Sequence, residues 1–109
     1  MSERNGDALA AFPRRVRERA SMLVIRNVVV QQQWAEELPP SAQVLTVQMQ
    51  ETTPVMWVIF DPALPWVRRW FRTYATGDTV PDPVPAQTYI GTYQTGRLAM
   101  HVFELIEEP

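Results

Sequence analysis

Apolar and polar residues alternate most regularly near the end of the chain. Tyr89-Ile90-Gly91-Thr92-Tyr93-Gln94 and Arg97-Leu98-Ala99-Met100-His101-Val102-Phe103-Glu104-Leu105 flank Thr95-Gly96. Two such runs around a short glycine-containing turn predict a β-hairpin. Further upstream, Leu45, Val47 and Met49 are predicted to face one way and Thr46, Gln48 and Gln50 the other, as in a half-buried strand. Glu51-Thr52-Thr53-Pro54 reads as the turn after it. Val55-Met56-Trp57-Val58-Ile59-Phe60 is apolar on both faces, which predicts the central, most buried strand, with Trp57 buried in it. Trp66 to Ala75 is another strand. Its alternation puts Arg68, Trp70, Arg72 and Tyr74 on one face and Arg69, Phe71, Thr73 and Ala75 on the other.

The first β-like run is Met22 to Val30, rich in β-branched residues. Gln31 to Leu38 continues it with a weaker signal, and Pro39-Pro40-Ser41 breaks it. Pro81-Asp82-Pro83-Val84-Pro85 predicts a stiff, extended loop. Ahead of Met22, Phe12, Val16 and Ala20 share a helical spacing, with Asp7 as a cap and Pro13 as a break. The expectation is mainly β: a small antiparallel β-sandwich or open barrel of five to six strands with a short N-terminal helix or arm. Residues 1–22 form the arm and 23–109 the antiparallel β domain.

Charge divides the chain in the same place. The net charge is −2, but residues 1–26 hold six Arg against three acids, and residues 27–109 hold four Arg against nine. Arg14, Arg15, Arg17 and Arg19 form a basic cluster in the arm, a candidate contact for an anionic partner. Every basic residue is Arg. Lysine-based chemistry is therefore excluded, as is cysteine chemistry, since the chain has no Cys. No apolar run approaches the ~20 residues of a membrane-spanning helix, and the start lacks the apolar stretch of a signal peptide. These features point to a soluble, cytoplasmic protein with no membrane partner.

His101 is the only histidine. A lone imidazole can act as a general base, but a metal site here would need carboxylates for every other ligand. The plainer expectation is a strand histidine hydrogen-bonded within the fold. Glu104 lies on the opposite face and forms no dyad with it. The three serines lack a nucleophile-elbow context, and the glycines build no phosphate-cradling loop. Gly91, inside a strand, predicts a bulge or a close backbone approach. No catalytic residue, metal or cofactor is expected. The strongest candidate site is the face bearing Arg68, Trp70, Arg72 and Tyr74, because Trp, Tyr and Arg dominate binding hot spots. The same residues could stack bases, but an acidic body disfavours nucleic acid. The plainer alternative is cross-strand aromatic and cation–π packing.

The elements Leu45-Thr46-Val47-Gln48-Met49-Gln50, Pro54-Val55-Met56-Trp57, Asp61-Pro62, Thr76-Gly77, Tyr89-Ile90-Gly91-Thr92-Tyr93-Gln94 and His101-Val102-Phe103-Glu104, in this order, resemble a family of small bacteriophage and prophage proteins known as a domain of unknown function. The resemblance covers about residues 28–105. It implies a phage accessory protein in the host cell and implies no reaction. The functional expectation is a non-catalytic module that binds a host or phage protein. The alternatives are a small-ligand, nucleotide-like binder and a virion or assembly component, the latter a homo-oligomer.

Overall fold

The computed structural model describes residues 22–81 and 87–109. The Arg14, Arg15, Arg17 and Arg19 cluster, the predicted helix or arm, and most of the proline-rich loop lie outside them. The described residues contain no helix and seven strands: β1 (Val24–Val29), β2 (Gln33–Leu38), β3 (Gln43–Gln50), β4 (Thr53–Phe60), β5 (Val67–Ala75), β6 (Gln87–Thr95) and β7 (Leu98–Leu105). They form two antiparallel sheets. One is three-stranded, in the order β1-β4-β3. The other is four-stranded, in the order β2-β5-β7-β6. The fold is thus all-β, and it fits a small sandwich or open barrel.

The strand count exceeds the expected five to six because the run Met22–Leu38 is two strands in different sheets. The break falls at Val30–Gln32. The Val30 amide donates to the Pro54 carbonyl of the three-stranded sheet at 2.9 Å. Two residues on, the Gln32 carbonyl accepts from the Thr73 amide at 2.9 Å, and the Gln31 carbonyl accepts from the Thr73 hydroxyl at 2.7 Å. The backbone passes from one ladder to the other with its polar groups satisfied. It needs neither Gly nor Pro to do so, so the break leaves little trace in the sequence.

The core lies between the sheets. Val28, Val47, Met56, Val58 and Phe60 come from one sheet, and Trp34, Leu38, Phe71 and Val102 from the other. The Trp34 and Phe71 rings stack with centroids 5.2 Å apart. β4 is the central strand of its sheet, as its composition predicts. Its Met56, Val58 and Phe60 face the core, whereas Trp57 alternates to the outer side and is half-buried rather than buried. A second departure is in β3. Its register against β4 shifts between Val44 and Thr46, so Val44 and Val47 turn inward while Leu45 is exposed. One inserted residue reverses the side on which the next side chains point.

Gly91 marks both features expected of it. The register of β6 against β7 shifts between Tyr89 and Gly91. A Cβ at Gly91 would stand 3.3 Å from Val47 Cγ2 of the other sheet. The missing side chain lets β6 approach β3 closely along one side of the sandwich. At the far end of the same interior, Arg69 and Glu104 form a mostly buried ion pair. Arg69 Nε donates to Glu104 Oε2 at 2.7 Å and Nη2 to Oε1 at 2.8 Å. Its Nη1 donates to the carbonyls of Pro39 at 3.0 Å and Ala42 at 2.9 Å. A second pair, Arg26–Glu36 at 2.8 Å, joins β1 to β2 across the open side.

Three outcomes follow. Gly91→Ala destabilises the fold by about 1–3 kcal/mol, the usual cost of overpacking. Chemical denaturation should show that Val47→Ala in the same chain costs less than the two changes made separately. Arg69→Lys costs about 2–3 kcal/mol despite keeping the charge, because an ammonium cannot span a carboxylate and two carbonyls at once. Burial raises the Tyr93 phenol above its ordinary pKa of 10.0. The stability this provides is complete below that value and is lost as pH climbs through it, because the unfolded chain ionises first. Thermal melts across the alkaline range should show this decline, and Tyr93→Phe should flatten it.

Candidate binding face

The outer side of the four-stranded sheet concentrates the aromatic residues that the core does not use. Register fixes its membership. Trp70 lies opposite Leu105, Arg72 opposite Phe103 and Tyr74 opposite His101. On the next strand Tyr89 lies opposite Phe103 and Thr92 opposite His101. Cross-strand partners share a face, so one surface carries Arg68, Trp70, Arg72, Tyr74, Tyr89, His101, Phe103 and Leu105. The four residues singled out from the sequence sit together, joined by four from the hairpin.

These four differ in what they offer. Arg68 is exposed, with its Nε 3.3 Å from Glu37 Oε2. Trp70 is half-buried, and its indole N–H is buried without an acceptor among the described residues. Arg72 lies over the Tyr74 ring at 5.1 Å from the centroid and donates from Nη1 to Gln33 Oε1 at 2.9 Å. Tyr74 is only 4% exposed and lies outside the core cluster. Its hydroxyl donates to Gln87 Oε1 at 2.9 Å. Tyr74 is therefore a floor for the face rather than a contact on it. The Phe103 ring packs edge-on against both Tyr74 and Tyr89, each at 5.6 Å. Tyr89 is 56% exposed and is the most accessible aromatic of the group. It belongs to the closing hairpin, and only the register of that hairpin against β5 brings it to Trp70 and Arg72.

Both ring nitrogens of His101 are engaged by threonine hydroxyls: Nε2 by Thr76 at 2.8 Å and Nδ1 by Thr92 at 3.0 Å. Thr76 Oγ1 also donates to the Ala99 carbonyl at 3.2 Å, so it accepts from the ring, and the ring proton belongs on Nε2. Nδ1 then accepts from Thr92, whose oxygen is left to accept from the Tyr89 hydroxyl. A single directed chain of hydrogen bonds runs from Tyr89 across β6 and β7 to the turn after β5. Glu104 is on the opposite side of the sheet, occupied by Arg69. No group of three or more metal-ligating side chains occurs among the described residues, and no helix there is long and apolar enough to cross a membrane.

An open cleft of about 340 Å³ lies at the end of the sandwich between Gln31, Gln32, Thr73, Asp78, Tyr93 and Met100. It contains one aromatic ring, one carboxylate and no arginine. A shallower one of about 360 Å³ reaches Arg72 but has only Gln31, Gln32 and Gln33 beside it. Neither brings arginine and aromatic side chains together.

No curated protein and no solved structure matches the chain. The register, the bulge at Gly91 and the closing hairpin all fall within residues 24–109, which match the model of a domain of unknown function, DUF7352, and the chain belongs to that family.

Proposed function

We propose that this chain is a non-catalytic accessory protein of a bacteriophage, acting in the host cytoplasm by binding a host or phage protein through the outer face of its four-stranded sheet. The observation behind this reading is the clustering of Trp70, Arg72, Tyr89 and Phe103 on one solvent-facing surface. Aromatic and arginine side chains offer large contact area at small entropic cost, which is why interface hot spots favour them. The surface is also rigid. Arg72 is tied to Gln33, Tyr74 to Gln87 and Tyr89 to Thr92, so little side-chain freedom is lost on binding. The chain's acidic balance beyond residue 26 disfavours a nucleic-acid backbone. The absence of arginine from the inter-sheet cleft disfavours a nucleotide-like ligand.

Immobilised full-length chain is expected to retain a protein from bacterial host lysate. Retention should survive nuclease and change little between low and high salt. Tyr89→Ala and Trp70→Ala should each weaken it by ~2 kcal/mol or more, roughly thirtyfold, while leaving the thermal melt cooperative. A nuclease-sensitive, salt-labile complex would assign the face to nucleic acid instead. Recovery of no protein would favour the small-ligand reading.

A further inference from the structure

We infer that β1 is a self-association edge, and that two copies of this chain join β1 to β1 as an antiparallel pair, making one six-stranded sheet from two three-stranded ones. A sheet edge presents unpaired backbone donors and acceptors, and proteins that stay monomeric blunt such edges with bulges, charges, proline or a covering element. The sandwich has four edge strands. β3 and β6 lie against each other, and each is interrupted by a bulge. β2 carries the exposed Glu37. β1 has neither a bulge nor a proline, and its outer-facing side chains, Ile25, Asn27 and Val29, carry no charge. Its register against β4 is unbroken from Val24 to Val29. Its one charge, Arg26, points inward to Glu36. Nothing among the described residues pairs with its free side.

The side chains favour a second copy as the occupant. Ile25 is 59% exposed and Val29 53%, on the outer face beside Ile59, Trp57 and Val55 of β4. Across that face the remaining positions, Asn27, Gln43, Thr46 and Gln48, are uncharged. An acidic chain therefore meets its own copy there without like-charge repulsion. Twofold symmetry also limits the register, because one residue must face its own counterpart. With Arg26 on the axis, two guanidinium groups would be opposed, which is destabilising. With Asn27 on the axis, Ile25 faces the second copy's Val29 and Arg26 faces its Val28, and five residues of each strand pair. The interface is isologous and closed, so it stops at two copies.

Sedimentation velocity of the full-length chain over a concentration series should show a dimer that dissociates on dilution. Asn27→Lys should raise its dissociation constant at least tenfold by placing like charges across the axis. Because Asn27 is exposed, the circular dichroism and thermal melt of the monomer should not change. The chain has no cysteine, so single cysteines report proximity cleanly. Asn27→Cys should oxidise to a disulfide-linked dimer, and Gln43→Cys, exposed on β3 at the other edge of the same sheet, should not. A chain that stays monomeric at every concentration overturns the inference. So does a dimer indifferent to Asn27→Lys, or cross-linking at Gln43→Cys equal to that at Asn27→Cys.

Discussion

The guanidinium of Arg69 ties two neighbouring strands of the four-stranded sheet to the connection that leaves it. It comes from β5, donates to both oxygens of Glu104 on β7, and donates from Nη1 to the carbonyls of Pro39 and Ala42. Those carbonyls belong to the connection between β2 and β3, where the chain returns from the four-stranded sheet to the three-stranded one. A proline-containing connection cannot satisfy itself through a ladder, because proline lacks the donor. Arg69 supplies the donors from across the interior. The pair is mostly sheltered from water, so its worth lies in leaving no charge or carbonyl unmatched rather than in Coulomb attraction alone.

The two outer surfaces then acquire opposite characters from one set of alternating strands. Behind the four-stranded sheet, aromatic rings, a histidine and arginines interlock through short hydrogen bonds. Behind the three-stranded sheet, aliphatic side chains and neutral amides lie open. Each surface has one buried residue that is not part of the core, Tyr74 on the first and Val55, only 2% exposed, on the second. Both act as platforms beneath more accessible neighbours. If β1 joins β1 about an axis normal to the sheets, both aromatic surfaces point the same way, and a partner with two binding epitopes meets them together.

Much of this was legible in the residues. The closing hairpin, the alternation of Val67–Ala75 and the opposite orientations of His101 and Glu104 follow from period-two patterning and a turn glycine. Gly91 announced itself because a glycine within a strand has few other reasons to be there. The division at Val30–Gln32 was hidden because the crossing is secured by hydrogen bonds to Pro54 and Thr73, which lie far away in sequence. Leu45 was assigned inward because a bulge adds a residue without changing the composition of the strand. Trp57 drew attention as the largest residue of an apolar run, but its side of β4 is the outer one, and Trp34, in a weaker polar stretch, took the place in the core. Alternation places Arg69 on the face of Phe71 and Thr73 but does not show its partner. Its partner is 35 residues away, a distance at which local patterning carries no information.

The close packing at Gly91 has a mechanical consequence. Along the β3–β6 side a Cβ at Gly91 would stand 3.3 Å from a Val47 methyl, so the layers leave little room there for a larger side chain. On the opposite side the Arg26–Glu36 pair joins β1 to β2 beside the crossing at Val30–Gln32. Any side chain added at Gly91 has to be accommodated by Val47 or by a shift of the two layers themselves.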